Sequence, residues 1–355
     1  MQWKCTICNY IYDEEEEGKE FHSLYDDWYC PTCCSAKEMF VQKGRKRGEE
    51  LYDIVIIGSG TAGMTAAIYT ARYNMKTLLI SEDVGGLMND AYPVENYPGY
   101  ISISGFELMQ KFKEQVEALD VTIDEEEVTS IEKGDSFKIK TKNKEYKTRA
   151  VIIATGSKRR KLGVPGEDHF KGKGVHYCAI CDATLYKGKT VAVVGGSDSA
   201  AQSALLLSQH AKKVYIIYRK EDIRAEPIHK KRIAEKKNIE IIPNTNITEI
   251  KGHDFVSSVL LDKPYKSKKD FHVDGVFIEA GTMPSTEIAK KVGVALNEKG
   301  EIITNEKAET NIEGLFAAGD VTNDFLKQAV VAAGDGAKAA FSAYLYLLKK
   351  RREGK

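Results

Sequence analysis

Apolar residues in this chain gather in short runs that end at glycine and lead into helix-forming stretches. Leu51-Tyr52-Asp53-Ile54-Val55-Ile56-Ile57 reads as a buried β-strand. It stops at Gly58, and Met64-Thr65-Ala66-Ala67-Ile68-Tyr69 predicts a helix after the turn. Lys76-Thr77-Leu78-Leu79-Ile80 predicts the next strand, and Ala150 to Ile153 another. The same order returns further on: a strand at Lys189 to Val194, a glycine turn, a helix through Gln209, and a strand at Val214 to Tyr218. Strand, turn, helix and strand in repeated alternation predict an α/β fold built on parallel sheets.

The chain has 355 residues, enough for roughly two to three domains. Lys plus Arg equals Asp plus Glu at 52 each, so no net field favours nucleic acid or an acidic membrane surface. No stretch approaches the roughly twenty apolar residues that span a bilayer, and Met1-Gln2-Trp3-Lys4-Cys5 is not a basic segment before an apolar run. The expectation is a cytoplasmic protein with no nucleic-acid and no membrane partner.

Six of the seven cysteines form three Cys-x-x-Cys pairs: Cys5/Cys8, Cys30/Cys33 and Cys178/Cys181. In an intracellular chain such pairs point to metal binding or catalysis before structural disulfides. The first two present two thiolate knuckles on short turns among aromatic residues. Together they make a tetrahedral sulfur site, which selects zinc or iron. The third pair, in Cys178-Ala179-Ile180-Cys181-Asp182, has no second pair nearby and lies between two glycine-rich segments. A depressed thiol pKa lets such a pair open and close a disulfide on a partner. Asp182 can supply or take the proton this exchange needs. A zinc half-site or an inert buried pair is the alternative reading.

The glycine segments carry the rest of the chemistry. Gly58-Ser59-Gly60-Thr61-Ala62-Gly63 sits between a strand and a helix, where Gly58, Gly60 and Gly63 allow a tight turn, a close pyrophosphate and helix-on-strand packing. Glu82, at the end of the next strand, can accept from a ribose hydroxyl, as can Ser81 or Asp83. Gly195-Gly196-Ser197-Asp198-Ser199-Ala200 opens a second unit in which Gly195, Gly196 and Ser199 would meet a nucleotide. Ser197 replaces the usual middle glycine and crowds the backbone's approach. After the following strand come Arg219, Lys220 and Arg224, which suit the 2′-phosphate of NADPH; a solvated basic turn is the alternative, and Glu221 keeps NADH open.

Residues 1 to about 42 resemble rubredoxin on Cys5-x-x-Cys8-Asn9-Tyr10, Cys30-Pro31-Thr32-Cys33, Trp3, Trp28, Lys37 and Phe40. The resemblance implies one iron on Cys5, Cys8, Cys30 and Cys33; a zinc ribbon is the alternative. Asn9 and Cys34 replace the glycines that follow each second cysteine, a place that tends to need left-handed backbone, so the second knuckle is expected to be strained or rearranged. The acidic run Asp13 to Glu17 is expected as a solvated turn or a docking surface for a basic redox partner. Residues 43–50, rich in Lys, Arg and Gly, read as a linker with ends about 15 Å apart on average and at most about 27 Å. So short a tether gives a millimolar-scale effective concentration.

Ala154-Thr155-Gly156 and Gly314-Leu315-Phe316-Ala317-Ala318-Gly319-Asp320-Val321 complete a triplet that resembles the signature of two-dinucleotide-binding flavoproteins, with Thr155, Gly156, Gly319 and Asp320 at FAD. Residues 51 to about 348 resemble the low-molecular-weight thioredoxin reductases. The likeness rests on these motifs together with Glu95-Asn96-Tyr97-Pro98-Gly99, Val164-Pro165-Gly166-Glu167, Cys178 to Asp182, Tyr218-Arg219-Lys220 and Lys327-Gln328-Ala329. This implies two Rossmann-like nucleotide-binding domains, the FAD domain (51–161 and 276–355) split by an inserted NAD(P)H domain (162–275), behind the small N-terminal metal-binding domain. It also implies further FAD contacts at Asn96, Gln328 and Ala329, a homodimer, and a rotation between two domain arrangements. Cys178 would attack the partner disulfide, Cys181 would face the flavin and Asp182 would be the acid. Two departures stand out: Gly85-Gly86-Leu87-Met88 in place of Gly-Gly-Gln-Leu, and Tyr218-Arg219-Lys220 in place of His-Arg-Arg.

The function expected is an NAD(P)H-dependent FAD disulfide reductase serving a thioredoxin- or glutaredoxin-like protein, with the iron as a one-electron branch to another carrier. Alternatives are an NAD(P)H:rubredoxin-type oxidoreductase for oxygen or peroxide detoxification, and a reductase whose N-terminal zinc module only docks a partner.

Overall fold

The computed structural model describes residues 2–5, 7–8, 10–25, 28–43 and 51–353. Asn9, Asp26, Asp27 and linker residues 44–50 lie outside them. Near the N-terminus, β1 (Gln2–Cys5) pairs antiparallel with β2 (Ile11–Asp13) on one side and β3 (Phe40–Lys43) on the other. Over this sheet an aromatic cluster forms: Trp3 stacks on Phe21 at 4.7 Å, and Trp28 and Phe40 meet Phe21 edge-on and tilted. The acidic run is a single helical turn, α1 (Glu14–Glu17), capped by Asp13. Glu14 is not solvated as expected: its Oε1 accepts from Trp3 Nε1 and from the Phe21 N–H, each at 2.9 Å. Those two bonds hold its carboxyl below the ordinary value, the backbone one foremost.

The first parallel unit is β4 (Leu51–Ser59), α2 (Thr61–Arg72) and β5 (Thr77–Val84), followed by α3 (Gly105–Glu117) and β6 (Thr122–Asp124). A meander of β7 (Val128–Lys133), β8 (Phe137–Thr141) and β9 (Glu145–Ile153) then brings the chain back beside β4. Next come the short β10 (Ser157–Arg159), β11 (Val175–His176) and α4 (Ala179–Asp182). The second unit is β12 (Thr190–Val194), α5 (Asp198–Leu207), β13 (Lys213–Ile217), α6 (Pro227–Ala234) and β14 (Ile239–Ile242). An antiparallel sheet of β15 (Ile247–Gly252), β16 (Val256–Tyr265) and β17 (Lys268–His272) follows. The chain ends through β18 (Gly275–Ile278), β19 (Thr282–Pro284), α7 (Glu287–Lys291), β20 (Leu315–Ala317) and the long α8 (Ala329–Arg352).

Strands β6-β5-β4-β9-β20 form a parallel sheet that β8 and β7 extend antiparallel. Ile54, Ile56 and Ile152 pack on one face of it and Val55, Ile57 and Val151 on the other, as strands covered on both sides require. Helix α8 lies close on α2 because its buried face is Ala332, Gly336, Ala339, Ala340 and Ala343; a Cβ on Gly336 would come within 2.1 Å of the Ala62 carbonyl oxygen. The second sheet, β11-β18-β12-β13-β14, is parallel throughout. Its strands follow the expected runs, although β13 starts one residue earlier, at Lys213, and α5 ends at Leu207 rather than Gln209. Since β18 lies between β11 and β12, the inserted body runs on to Ile278 and not to the expected boundary at 275. Two antiparallel strands, β10 and β19, carry the chain into and out of this body.

Candidate functional site

Cys178 and Cys181 are joined as a disulfide with Cα atoms 5.5 Å apart, at the start of α4. Cys178 is the helix cap, its Sγ accepting the Cys181 N–H at 3.2 Å. Cys181 is exposed and Cys178 half-buried, so one edge of the bond is open to a partner. Asp182 closes α4, and its Oδ2 lies 2.7 Å from His176 Nδ1. His176 Nε2 in turn is 2.6 Å from the Tyr186 hydroxyl. No sequence signal singled out His176 or Tyr186: His176 is brought to Asp182 by the two-residue β11, held in place a hundred residues later by β18, and Tyr186 ends the 3-10 turn, Ala183–Tyr186, that follows α4.

Asp90, from the turn after Gly85-Gly86, has a carboxylate oxygen within 4.8 Å of both disulfide sulfurs. Arg159 of β10 bridges it to Glu279, the residue after β18, at 2.8 Å from Asp90 and 3.4 Å from Glu279. Glu279 is buried and accepts from Ser203 Oγ at 2.7 Å. Burial pushes its carboxyl up, and the Arg159 guanidinium opposes that shift. These four residues were also missed, since an interdomain ion pair leaves no local pattern.

The first glycine turn has the shape of a dinucleotide cradle. A Cβ on Gly58, whose φ is +103°, would lie 2.3 Å from the Ala154 carbonyl oxygen, and one on Gly63 would lie 1.7 Å from Gly58 O. Around Gly60 there is open space, and as the cap of α2 it offers no side chain, so the first N–H groups of that helix are left for an anion. Ser81 Oγ accepts from the Ser59 N–H, whereas Glu82 is exposed at the end of β5. Thr155 Oγ1 donates to Ser285 O at 2.7 Å, and Gly156 has a positive φ. Gly319 is left-handed, and burial raises the neighbouring Asp320 carboxyl, with Lys327 opposing. Asn96 Nδ2 donates to Gln328 Oε1 at 3.2 Å, and α8 begins at Ala329 without a side-chain cap. Two helix N-termini without side-chain caps and a desolvated acid fit a flavin dinucleotide.

The second glycine turn opens on a cavity of about 440 Å³ lined by Gly195, Gly196, Ser197, Tyr218, Arg219 and Arg224, among others. Lys220 is not in that lining, and Ser199 lines a neighbouring cavity of about 150 Å³ with Asp90 and Ile180. Gly196 is required by Tyr218, whose ring would lie 2.6 Å from an added Cβ. The tyrosine that replaces the usual histidine therefore packs directly on the turn, with its hydroxyl buried and unpartnered. Ser197 caps α5 without a side-chain bond, again leaving helix N–H groups for phosphate.

Cys5, Cys8, Cys30 and Cys33 converge with all four sulfurs within 4.8 Å of one another. Cys5 to Cys33 is 3.6 Å and Cys8 to Cys30 is 3.5 Å. A tetrahedron of metal–sulfur bonds of about 2.3 Å has edges of about 3.8 Å, so the set is close to the size of a metal. Ser35 Oγ lies 3.2 Å from both Cys5 and Cys33. Burial raises the Cys5 thiol, but Ser35 and the Cys8 and Ile7 backbones outweigh it and bring it down to about 6. Cys34 takes the left-handed conformation, φ +55°, that a glycine would fill, so the knuckle keeps its shape and carries the expected strain instead of rearranging.

Residues 52–336 match the family model of the pyridine nucleotide-disulphide oxidoreductases. The chain is 42% identical over 303 residues to thioredoxin reductase of Bacillus subtilis, covering 84% of this chain and 96% of that protein. It is 39% identical to a 34.2 kDa protein in the rubredoxin operon of Clostridium pasteurianum, covering 84% and 98%. Lactococcus lactis thioredoxin reductase in its FR conformation superposes with a TM-score of 0.81 at 42% identity, covering 84% of this chain and 99% of that one.

Proposed function

This chain belongs to the pyridine nucleotide-disulphide oxidoreductases, and on that premise we propose that it is an NAD(P)H-dependent FAD disulfide reductase acting on a thioredoxin- or glutaredoxin-like protein. The observation that carries this reading is the Cys178–Cys181 disulfide, open on one edge, lying in the chain between two glycine turns whose helices have no side-chain cap. FAD, if held in the first cradle, would supply hydride acceptance from a nicotinamide and return of the electron pair to a disulfide. The residues proposed to hold it are Gly58, Gly60, Gly63, Glu82, Asn96, Thr155, Gly156, Gly319, Asp320, Gln328 and Ala329. Gly195, Gly196, Ser199, Arg219, Lys220 and Arg224 are proposed for NADPH; the cavity geometry favours Arg219 and Arg224 as the phosphate contacts. Cys178 is the attacking thiolate, and Asp182 moves the proton. The family resemblance supports a homodimer and a turning of the inserted body about β10 and β19.

At the N-terminus, Cys5, Cys8, Cys30 and Cys33 would hold iron, which adds one-electron transfer. The relative in a rubredoxin operon supports this branch and also favours a second reading, in which the protein reduces a rubredoxin-type carrier and the disulfide is secondary. Anaerobic mixing with NADPH tests both readings: flavin absorbance is expected to bleach, followed by the iron band. No bleaching with NADPH or NADH refutes them together. Unchanged turnover with every acceptor in a Cys178→Ser, Cys181→Ser variant refutes the first and leaves the second. No helix among the described residues is long and apolar enough to cross a membrane.

A further inference from the structure

We propose that His176, braced by Tyr186, is the positioning residue that holds Asp182 in register with the cysteine pair, so that leaving thiolates are protonated inside the site. The inference rests on the disulfide-reductase reading above and adds two residues to it. His176 is 7% exposed and stacks on Phe277 with centroids 5.1 Å apart, so its ring cannot turn freely. Its two nitrogens have one partner each, Asp182 Oδ2 at 2.7 Å and Tyr186 OH at 2.6 Å.

Tyr186 is itself 5% exposed, and burial pushes its hydroxyl up to about 12, so it remains an O–H donor. Space for its ring is made by Gly275, where a Cβ would come within 2.3 Å of the Tyr186 ring. With Tyr186 donating to Nε2, the remaining ring proton belongs on Nδ1 and points at Asp182; the tautomer is assigned from these partners. Every polar atom of the buried imidazole is then satisfied. Asp182 Oδ2 is thereby held, and on the disulfide-reductase reading Oδ1 would take and give the thiol proton.

The exchange balances as follows. In the reduced enzyme, Cys178 and Cys181 carry two protons. One passes through Asp182 to the first thiolate released when the Cys178 sulfur bonds the partner's disulfide and breaks it. Cys181 then bonds Cys178, breaking the mixed disulfide, and its proton goes by the same carboxylate to the second released thiolate. The products are the enzyme disulfide and the partner dithiol.

An alkyl thiolate leaves poorly without a proton, whereas an aryl thiolate leaves unaided, and this separates proton delivery from any general loss of structure. The dithiothreitol-reduced enzyme, without nucleotide, is mixed with bis(hydroxyethyl) disulfide or with dithiobis-nitrobenzoate. Reoxidation is read by mass spectrometry of the peptide bearing Cys178 and Cys181, which sets aside the thiols near the N-terminus. His176→Ala is expected to slow the alkyl reaction about tenfold or more and the aryl reaction less than about twofold. It should add nothing in an Asp182→Asn background. His176→Asn, which keeps an N–H where Nδ1 stood, should recover most of the alkyl rate. Equal losses on both disulfides, no loss on the alkyl one, losses that add to Asp182→Asn, or no recovery by asparagine would each overturn the proposal. Absence of flavin bleaching by NADPH or NADH would remove the disulfide-reductase reading and leave this measurement standing.

Discussion

Cys5 and Cys33 lie 3.6 Å apart on turns of a three-stranded sheet, with the Ser35 hydroxyl 3.2 Å from each and a second thiol pair completing the group. Cys178 and Cys181 have the same spacing in sequence but open a one-turn helix, with Asp182, His176 and the Asp90 carboxylate close by and no further thiol. What a Cys-x-x-Cys does is thus decided by its neighbours. Four converging sulfurs match the size of a metal's coordination shell, whereas one pair with an open edge and carboxylates nearby suits a bond that can be cycled.

Removal of the metal proposed for the four thiolates separates the two regions most. Structural metal binding in small thiolate domains is worth about 10 kcal/mol or more, and the N-terminal domain has only a small aromatic cluster besides. A strong chelator is expected to abolish the near-ultraviolet circular dichroism of Trp3 and Trp28 and to leave the flavin content and the Cys178–Cys181 disulfide unchanged. In the converse variant, Cys178→Ser with Cys181→Ser, disulfide turnover should fall by about 10³-fold or more with the metal content intact. If either change crossed into the other region, the two would not be independent.

A smaller effect is expected at Gly58. Its φ of +103° and the 2.3 Å approach to Ala154 O make Gly58→Ala cost about 3 kcal/mol, seen as lost FAD and a lower Tm for the body alone. Smallest is a charge effect within the body that carries the disulfide. Glu240 is drawn from 4.5 down to about 2 by Lys266, Tyr265 and Lys213. Its folded value lies below the unfolded one, so the stabilisation is whole above about pH 4.5 and disappears as pH falls through about 2. Glu240→Gln should lower Tm by about 2 °C at neutral pH, scanned calorimetrically, and make no difference near pH 2.

The sequence made the strand-turn-helix units plain because each depends on residues within about thirty positions of one another, as at Leu51 to Ile80 and Lys189 to Tyr218. The cysteine groups were legible for the same reason. Glu14 read as solvent-facing because nothing local shows that the carboxylate turns back to Trp3 and Phe21. The Cys34 knuckle read as strained from the residue type, and Cys34 does take the left-handed backbone that costs a non-glycine residue, without rearranging the turn. His176, Tyr186, Asp90, Arg159 and Glu279 carry no motif. His176 reaches Asp182 and the local Tyr186 because β11 pairs with β18, and Arg159 of β10 joins Asp90 to Glu279; long-range contacts of that kind are invisible to periodicity.

Arg159 and Thr282 are direct partners across β10 and β19, so the 122 residues between them begin and end at neighbouring backbone positions about 5 Å apart. Excising residues 160–281 and closing the gap with a tight turn would leave β4, β9 and β20 paired as before. The inserted body, about a third of the chain, is thus expected to be a removable cassette, and the remainder should fold as a free-standing flavin holder.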